Sequence, residues 1–412
     1  MKKLIFLIVL MSQLTFAQVP QKFNFEALSK KGFVTISPEL IYTPVQAYGY
    51  VKGTNNRYFT FDISEGNYDV IMQFGSNTTE SETTIKVENR RLVLEKIQVA
   101  KGETVTKTFT VNIRNAKIDE TRSVELKPRE SSYLHWDNQL TFEFCGKNPA
   151  VRSIEIRPNK KAITVFLAGN STVVDQIQEP FTAWGQMIPR FFNPQKIAIA
   201  NHAESGESLK SFVSENRLEK ILSQMKKGDY LFVEFAHNDQ KIKDFRPFIE
   251  YRNLLKDFIE RTRQKGGNPV LVTSMHRRNF DENGKIINTL GDFPEAMRLT
   301  AQEYSVPLID LNAISKILWE SMGVEESKKA FVHVSANTYP NQDKAIADNT
   351  HFSNYGAYQL AKCIVEEIKK IQLPISKYLV ETQPFDPHFP DNLQTWDFPA
   401  SPAIPVVKPD GN

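Results

Sequence analysis

Apolar and polar residues alternate in short runs over the first third of the chain, and the rhythm changes near Lys161. "RYFTFDI", "NYDVIMQF", "TTIKVENRRLVL", "TKTFTVNI", "QLTFEFCG" and "VRSIEIRP" repeat with period two, the spacing of strands with one buried face. "SEGN", "SNTT" and "KGET" supply turns between them. This pattern predicts an antiparallel β-sandwich domain over residues 18–158. From Lys161 the strands become continuous apolar runs, "ITVFLAG", "KIAIANHA", "DYLFVEFAHND", "PVLVTS" and "VPLIDLN". Helical stretches separate them, as where Tyr251, Leu254, Leu255, Phe258 and Ile259 recur ahead of a stop at Gly266. Strands alternating with helices predict an α/β domain over residues 159–372, its parallel sheet covered on both faces. Residues 373–412 are too proline-rich for helix or sheet interior but keep Phe385, Phe389, Trp396 and Phe398, which predicts an extended strap on a domain surface.

The first residues break this picture. Lys2 and Lys3 precede the run "LIFLIVLM", and "LTFA" closes on a small residue, which predicts a signal peptide over residues 1–17 cleaved after Ala17. The apolar run is well short of the roughly 20 residues that span a bilayer, and no later segment is apolar enough. The expected location is therefore periplasmic or extracellular. A net charge of +3 on 412 residues gives no reason to expect nucleic acid as a partner. The two cysteines, Cys145 and Cys363, fall in different predicted domains and read as buried free thiols. With no C-x-x-C, H-E-x-x-H or P-loop, neither a metal nor a cofactor is expected.

Chemistry-bearing residues gather where the parallel strands end, the edge at which such sheets bind ligands. The first strand runs into Gly169-Asn170-Ser171-Thr172, the second into "NHAESGES" with Gly206, and the third into Ala236-His237-Asn238-Asp239. Beyond the last strand, Asp348 and His351 stand just before a helix with an apolar face of Ala357, Leu360, Ala361, Ile364 and Ile368. A serine becomes a nucleophile beside a base, and the base needs a group that fixes its tautomer. Ser171, His351 and Asp348 can supply these three roles. Ser171 N–H, Gly206 N–H and the Asn238 amide can supply donors to an oxyanion. Ser171 alone could equally be a helix cap, and Asn170-Ser171-Thr172 also fits a glycosylation sequon. Four pieces in order on strand ends of one sheet favour catalysis. The G-x-S-x-G elbow is absent, since Val173 holds its last position.

In these segments the chain resembles the SGNH (GDSL-type) esterases, and among them the rhamnogalacturonan acetylesterase-like group, from about Ile163 to Ile371. The resemblance implies a three-layer α/β/α sandwich and removal of acetyl groups from pectic polysaccharide. It assigns Ser171 as nucleophile, Asp348 and His351 as the rest of the triad, and Gly206 and Asn238 as oxyanion donors. "FDENG", "GDFPEAMR" and "VPLIDL" look like that group's connecting segments. One departure stands out: the usual Gly-Asp-Ser is here Gly169-Asn170-Ser171. Asn170 keeps a carbonyl acceptor for the turn and gives up a charge.

The loops around these strand ends, "NHAESGESLK", "AHNDQKIKDFR" and "HRRNFDENG", are polar and favour a sugar ester over a fatty ester. His202, Arg277 and Arg278 are candidate substrate contacts, and Arg277, Arg278, Lys210 and Lys241 could meet the carboxylates of an acidic polysaccharide. Tyr133 and Trp136 could stack on a sugar or pack on their own domain, while Trp184 reads as core. The first domain could bind glycan or serve as a structural prop, and the pattern leaves both open. The rival functions are an acetylesterase for another glycan, such as xylan or sialic acid, and a carbohydrate-binding protein without catalysis.

Overall fold

A computed structural model describes residues 21–339 and 342–401. The export segment expected over residues 1–17, and the strap beyond residue 401, lie outside the described residues.

Five parallel strands form the centre of the second half, in the spatial order Ile197–Asn201, Ile163–Gly169, Tyr230–Glu234, Asn268–Val272, Leu308–Ile309. Their side chains alternate between two cores. Val165, Leu167, Tyr230, Phe232, Val270 and Val272 enter one cluster, whereas Phe166, Ala168, Leu231, Val233 and Leu271 enter the other. The helix Asn354–Lys370 covers the first face through Ala357, Leu360, Ala361, Ile364 and Ile368. The helix Arg252–Gln264 covers the second through Leu255, Phe258 and Ile259. Strands buried on both faces carry apolar residues at every position, which is why the period-two signal disappears here. The strand first in sequence lies second in space, so the order reverses beside it. The crevice beyond such a reversal is where doubly covered sheets hold ligands.

The first half contains two more five-stranded sheets. Lys22–Asn24, Gly66–Phe74, Val105–Ile113 and Val151–Pro158 pair antiparallel, with Val34–Thr35 added in parallel to Lys22–Asn24. The second sheet pairs Tyr48–Tyr50, Tyr58–Asp62, Gln139–Cys145, Ser81–Val87 and Arg91–Val99. One apolar cluster joins them, with the Phe23 ring 5.1 Å from Phe59 and Phe109 6.3 Å from Phe142 across the gap. The stretch "TTIKVENRRLVL" is not one strand. It folds back at Glu88, Asn89 and Arg90, with Glu88 and Arg90 in the left-handed region (φ 55° and 59°). No glycine or proline marks this turn, and its side chains are buried, with Arg90 reaching the Gln176 and Phe181 carbonyls of the second half.

After a short helical turn, Pro374–Tyr378, the described chain lies along the last helix. Trp396 and Phe398 stack at 5.5 Å and lie on Tyr355 and Tyr358 of the last helix, while Phe389 remains exposed. Ser401 then reaches Glu143 and Lys86 of the first half and Glu179 of the second. Cys145 and Cys363 are buried free thiols. Among the described residues no helix is long and apolar enough to cross a membrane.

Candidate active site

The first parallel strand ends on Gly169, where a Cβ would come within 2.5 Å of the Val173 side chain, so only glycine lets the chain turn this tightly. The carbonyl of Asn170 then accepts from Val173 N–H and Val174 N–H, both at 3.0 Å. Its side-chain oxygen accepts from Thr172 N–H at 3.0 Å and from the Thr172 hydroxyl at 2.8 Å. The carbonyl oxygen is the atom that an aspartate and an asparagine share, so this turn forms without the charge. Among the described residues the buried Asn170 amide nitrogen has no hydrogen-bond partner. Gln176 Nε2 donates to the Ser171 carbonyl at 2.8 Å, which fixes the turn from its far side.

Ser171 Oγ lies 2.8 Å from His351 Nε2, and His351 Nδ1 lies 2.8 Å from Asp348 Oδ2. These last two residues come from a strand, Ile346–Phe352, paired with Phe331–Val334. Pairing jumps from Phe331–Phe352 to Val332–Asp348, so residues 349–351 bulge outward. A bulge re-aims side chains, and here it turns the imidazole toward Ser171. Asp348 Oδ1 accepts from Thr350 N–H at 2.7 Å and His351 N–H at 3.0 Å, leaving Oδ2 for the ring. Burial pushes the Asp348 carboxyl up, but the His351 ring and the two backbone donors outweigh it and hold it at about 2. The group is thus an anion at neutral pH, able to hold one imidazole tautomer and steady a positive ring.

Two further loops close on this turn. Glu204 N–H donates to the Gly169 carbonyl at 3.2 Å, which brings the 204–207 segment beside the serine. Gly206 has φ 82°, a conformation that favours glycine. Asn238 Nδ2 donates to the Glu207 carbonyl at 3.0 Å, tying the third strand's loop to the second's. An amide nitrogen carries two hydrogens, so one remains for a ligand.

Of the three candidate substrate contacts, two are placed otherwise. His202 is fully buried between the rings of Trp136 and Phe166 and offers nothing to a ligand. Arg278 is buried, with its guanidinium on Ser327 Oγ (3.1 Å), Asn349 Oδ1 (3.2 Å) and the Val324 carbonyl. It braces the bulge that carries His351. Arg277 is half-buried, bonded to Thr289 and the His237 carbonyl (3.3 Å), and close enough to feel the Asp348 charge. Trp136 packs on His202 rather than facing outward, and Trp184 is core, its indole N–H on Glu234 at 3.1 Å. Glu234 lies outside the sequence-based candidates. Its buried carboxylate also meets Ser274 (2.6 Å) and Thr172 (3.1 Å) beneath the serine turn, and a charge inside the run "YLFVEF" was the available signal. Among the described residues, Glu130, His135 and Glu204 bring potential metal-ligand atoms within 4.8 Å of one another. Arg217 and Arg129 already occupy the two carboxylates.

The model of the GDSL-like lipase/acylhydrolase family matches residues 145–364. The rhamnogalacturonan acetylesterase RhgT of Bacillus subtilis is 45% identical over 226 residues, 54% of this chain and 97% of that protein. The probable rhamnogalacturonan acetylesterase YesY of the same organism is 35% identical over 224 residues, 53% and 97% of the two chains. A crystal structure of the B. subtilis YxiM protein aligns at a TM-score of 0.49 and 21% identity, covering 85% of this chain and 98% of that one.

Proposed function

The chain belongs to the GDSL-like lipase/acylhydrolase family, and from that premise we propose that it is an exported esterase removing O-acetyl groups from pectic polysaccharide. One observation carries the mechanism: the line Ser171 Oγ–His351–Asp348, with 2.8 Å at each step, beyond the reversal in strand order. Ser171 Oγ attacks the acetyl carbonyl carbon while His351 Nε2 takes its proton. The negative charge that develops on the carbonyl oxygen meets Ser171 N–H, Gly206 N–H and Asn238 Nδ2. His351 then passes the proton to the departing sugar oxygen, leaving an acetyl-Ser171 and a free hydroxyl. A water, deprotonated by His351, attacks the acetyl group; acetate leaves, and Ser171 recovers its proton. Asp348 stays ionised throughout.

The pectic substrate is supported by the named activities of the relatives and by the polar loops around the serine. Half-buried Arg277 and, beside Asn238, Lys241 give the mouth positive charge suited to a uronate-bearing chain. Export is supported by Lys2, Lys3, the apolar run and Ala17. The test is acetate release from acetylated rhamnogalacturonan set against acetylated xylan, with Ser171→Ala beside the parent. We expect faster release from the former, and a loss on the order of 10³ or more in kcat for the variant. Preference for xylan would overturn the substrate, and parental turnover in Ser171→Ala would overturn the mechanism.

A further inference from the structure

The 204–207 loop is gripped from outside the parallel-sheet region. A short helical turn, Pro128–Ser132, lies on the segment between the strands Val105–Ile113 and Gln139–Cys145 and runs along that loop. Lys127 Nζ donates to the Ser205 carbonyl at 3.0 Å, and Arg129 Nη2 donates to the same oxygen at 2.6 Å. Each cation is also anchored by a carboxylate, Arg129 by Glu204 (2.6 Å) and Lys127 by Glu207. Between them, Glu130 is fixed by both terminal nitrogens of Arg217, at 3.1 and 2.5 Å. Donors and loop are therefore mutually braced.

The Ser205 carbonyl and the Gly206 N–H belong to one planar peptide unit. That unit is trans, so the two groups point in opposite directions. Fixing the oxygen on one side fixes the N–H on the other. Gly206 itself gives little resistance to a rotation of that unit, since glycine visits many backbone conformations. Two charged donors on one carbonyl oxygen also polarise the amide and strengthen its N–H as a donor. We propose that Lys127 and Arg129 are positioning residues for the esterase reaction, holding and polarising the Ser205–Gly206 peptide so that Gly206 N–H faces the oxyanion. This rests on the assignment of Gly206 above, and it makes the antiparallel region part of the catalytic apparatus.

The variants that test it are Lys127→Met, Arg129→Met, their double, and Arg129→Lys, assayed on p-nitrophenyl acetate, which is too small to need glycan contacts. Both side chains are partly exposed (21% and 28%), so methionine keeps their stems without emptying a core. Each single variant is expected to lower kcat about tenfold and the double about 10²-fold, approaching loss of a whole oxyanion donor. KM should stay within about twofold, and Arg129→Lys should recover most of the loss. With selective ¹⁵N-glycine labelling, the Gly206 amide resonance should move in the double variant, and kcat per folded molecule should fall beyond any lowering of the melting temperature that the stranded Glu204 and Glu207 cause. Parental kcat in the double variant overturns the proposal; so does a loss of kcat that only tracks the folded fraction with the Gly206 resonance unmoved. A moved resonance with parental kcat overturns it too, and locates the failure in the Gly206 assignment. Failure of the nucleophile itself would show separately, in Ser171→Ala.

Discussion

The gap between the two antiparallel sheets and the seam joining them to the parallel sheet are built on opposite terms. The gap is filled by rings and branched chains, Phe23, Phe59, Phe61, Phe142, Val70 and Ile85, with little to specify beyond shape. The seam adds buried charge to a few apolar contacts, such as Trp136 on His202 and Leu92 in the parallel-sheet core. Arg91 meets Asp175 through two nitrogens at 2.7 and 2.9 Å, Arg90 meets Glu179 at 2.6 Å, and Lys220 meets Glu65 at 2.7 Å. These three cations and Arg217 are all buried. Rings give affinity between layers, whereas buried pairs give register, because a displaced partner leaves a bare charge out of water. The register matters here. Asp175 and Glu179 follow directly on Ser171, and Glu204 precedes Gly206.

The contrast breaks most visibly at Arg91. Arg91→Met strands Asp175, so a loss of about 3–5 kcal/mol in stability is expected together with a fall in kcat. Adding Asp175→Asn should recover part of the stability. Urea unfolding and turnover of a model ester check both, and an unfolding midpoint equal to the parent's would show that the pair does not hold the seam. In the gap, Phe142→Ala should cost a similar amount, about 3–5 kcal/mol through the cavity it leaves. The protein that remains folded should keep parental kcat, because no charge near the serine has moved.

A smaller effect separates the two regions by pH. Burial, with the Glu130 charge added, raises the Glu204 carboxyl to about 7. A carboxyl raised on folding contributes stability that is complete below its unfolded range, near 4.5, and is lost as pH rises through about 7. Melting temperature should therefore be lower at pH 8 than at pH 5, and Glu204→Gln should flatten that slope while Phe142→Ala leaves it in place. The Asp348 carboxyl has the opposite sign: held at about 2, its contribution is complete above the ordinary carboxylate range and disappears only as pH falls through 2. The smallest effect is expected at Asn170→Asp, less than about tenfold in turnover, because the acceptor oxygen on Thr172 is conserved. It brings a second carboxylate near Glu234, which shares the Thr172 hydroxyl, so a modest stability loss should accompany it.

The same contrast explains what could be read from the chain. Strand ends after continuous apolar runs are local signals, and they single out Ser171, Gly206 and Asn238. The contact of Ser171 with His351 joins residues 180 positions apart, yet each carries its own local signature. The turn at Glu88–Arg90 has none. Its left-handed residues are held by distant partners, as where Arg90 donates to the Phe181 carbonyl at 2.8 Å. The burial of Arg278 and His202 is hidden in the sequence for the same reason. A polar side chain is ordinarily read as exposed, and only partners far along the sequence reveal that it is buried.

Ser401 closes circuits that run across most of the described chain. Its contacts with Lys86 and Glu143 span 315 and 258 positions, and a third holds Glu179. Loop-closure entropy opposes such contacts until both ends are already placed. The strap should therefore dock as a late event in refolding, after the sheets have formed. An early collapsed state would carry the three five-stranded sheets with the seam still open, and esterase activity would return more slowly than secondary structure.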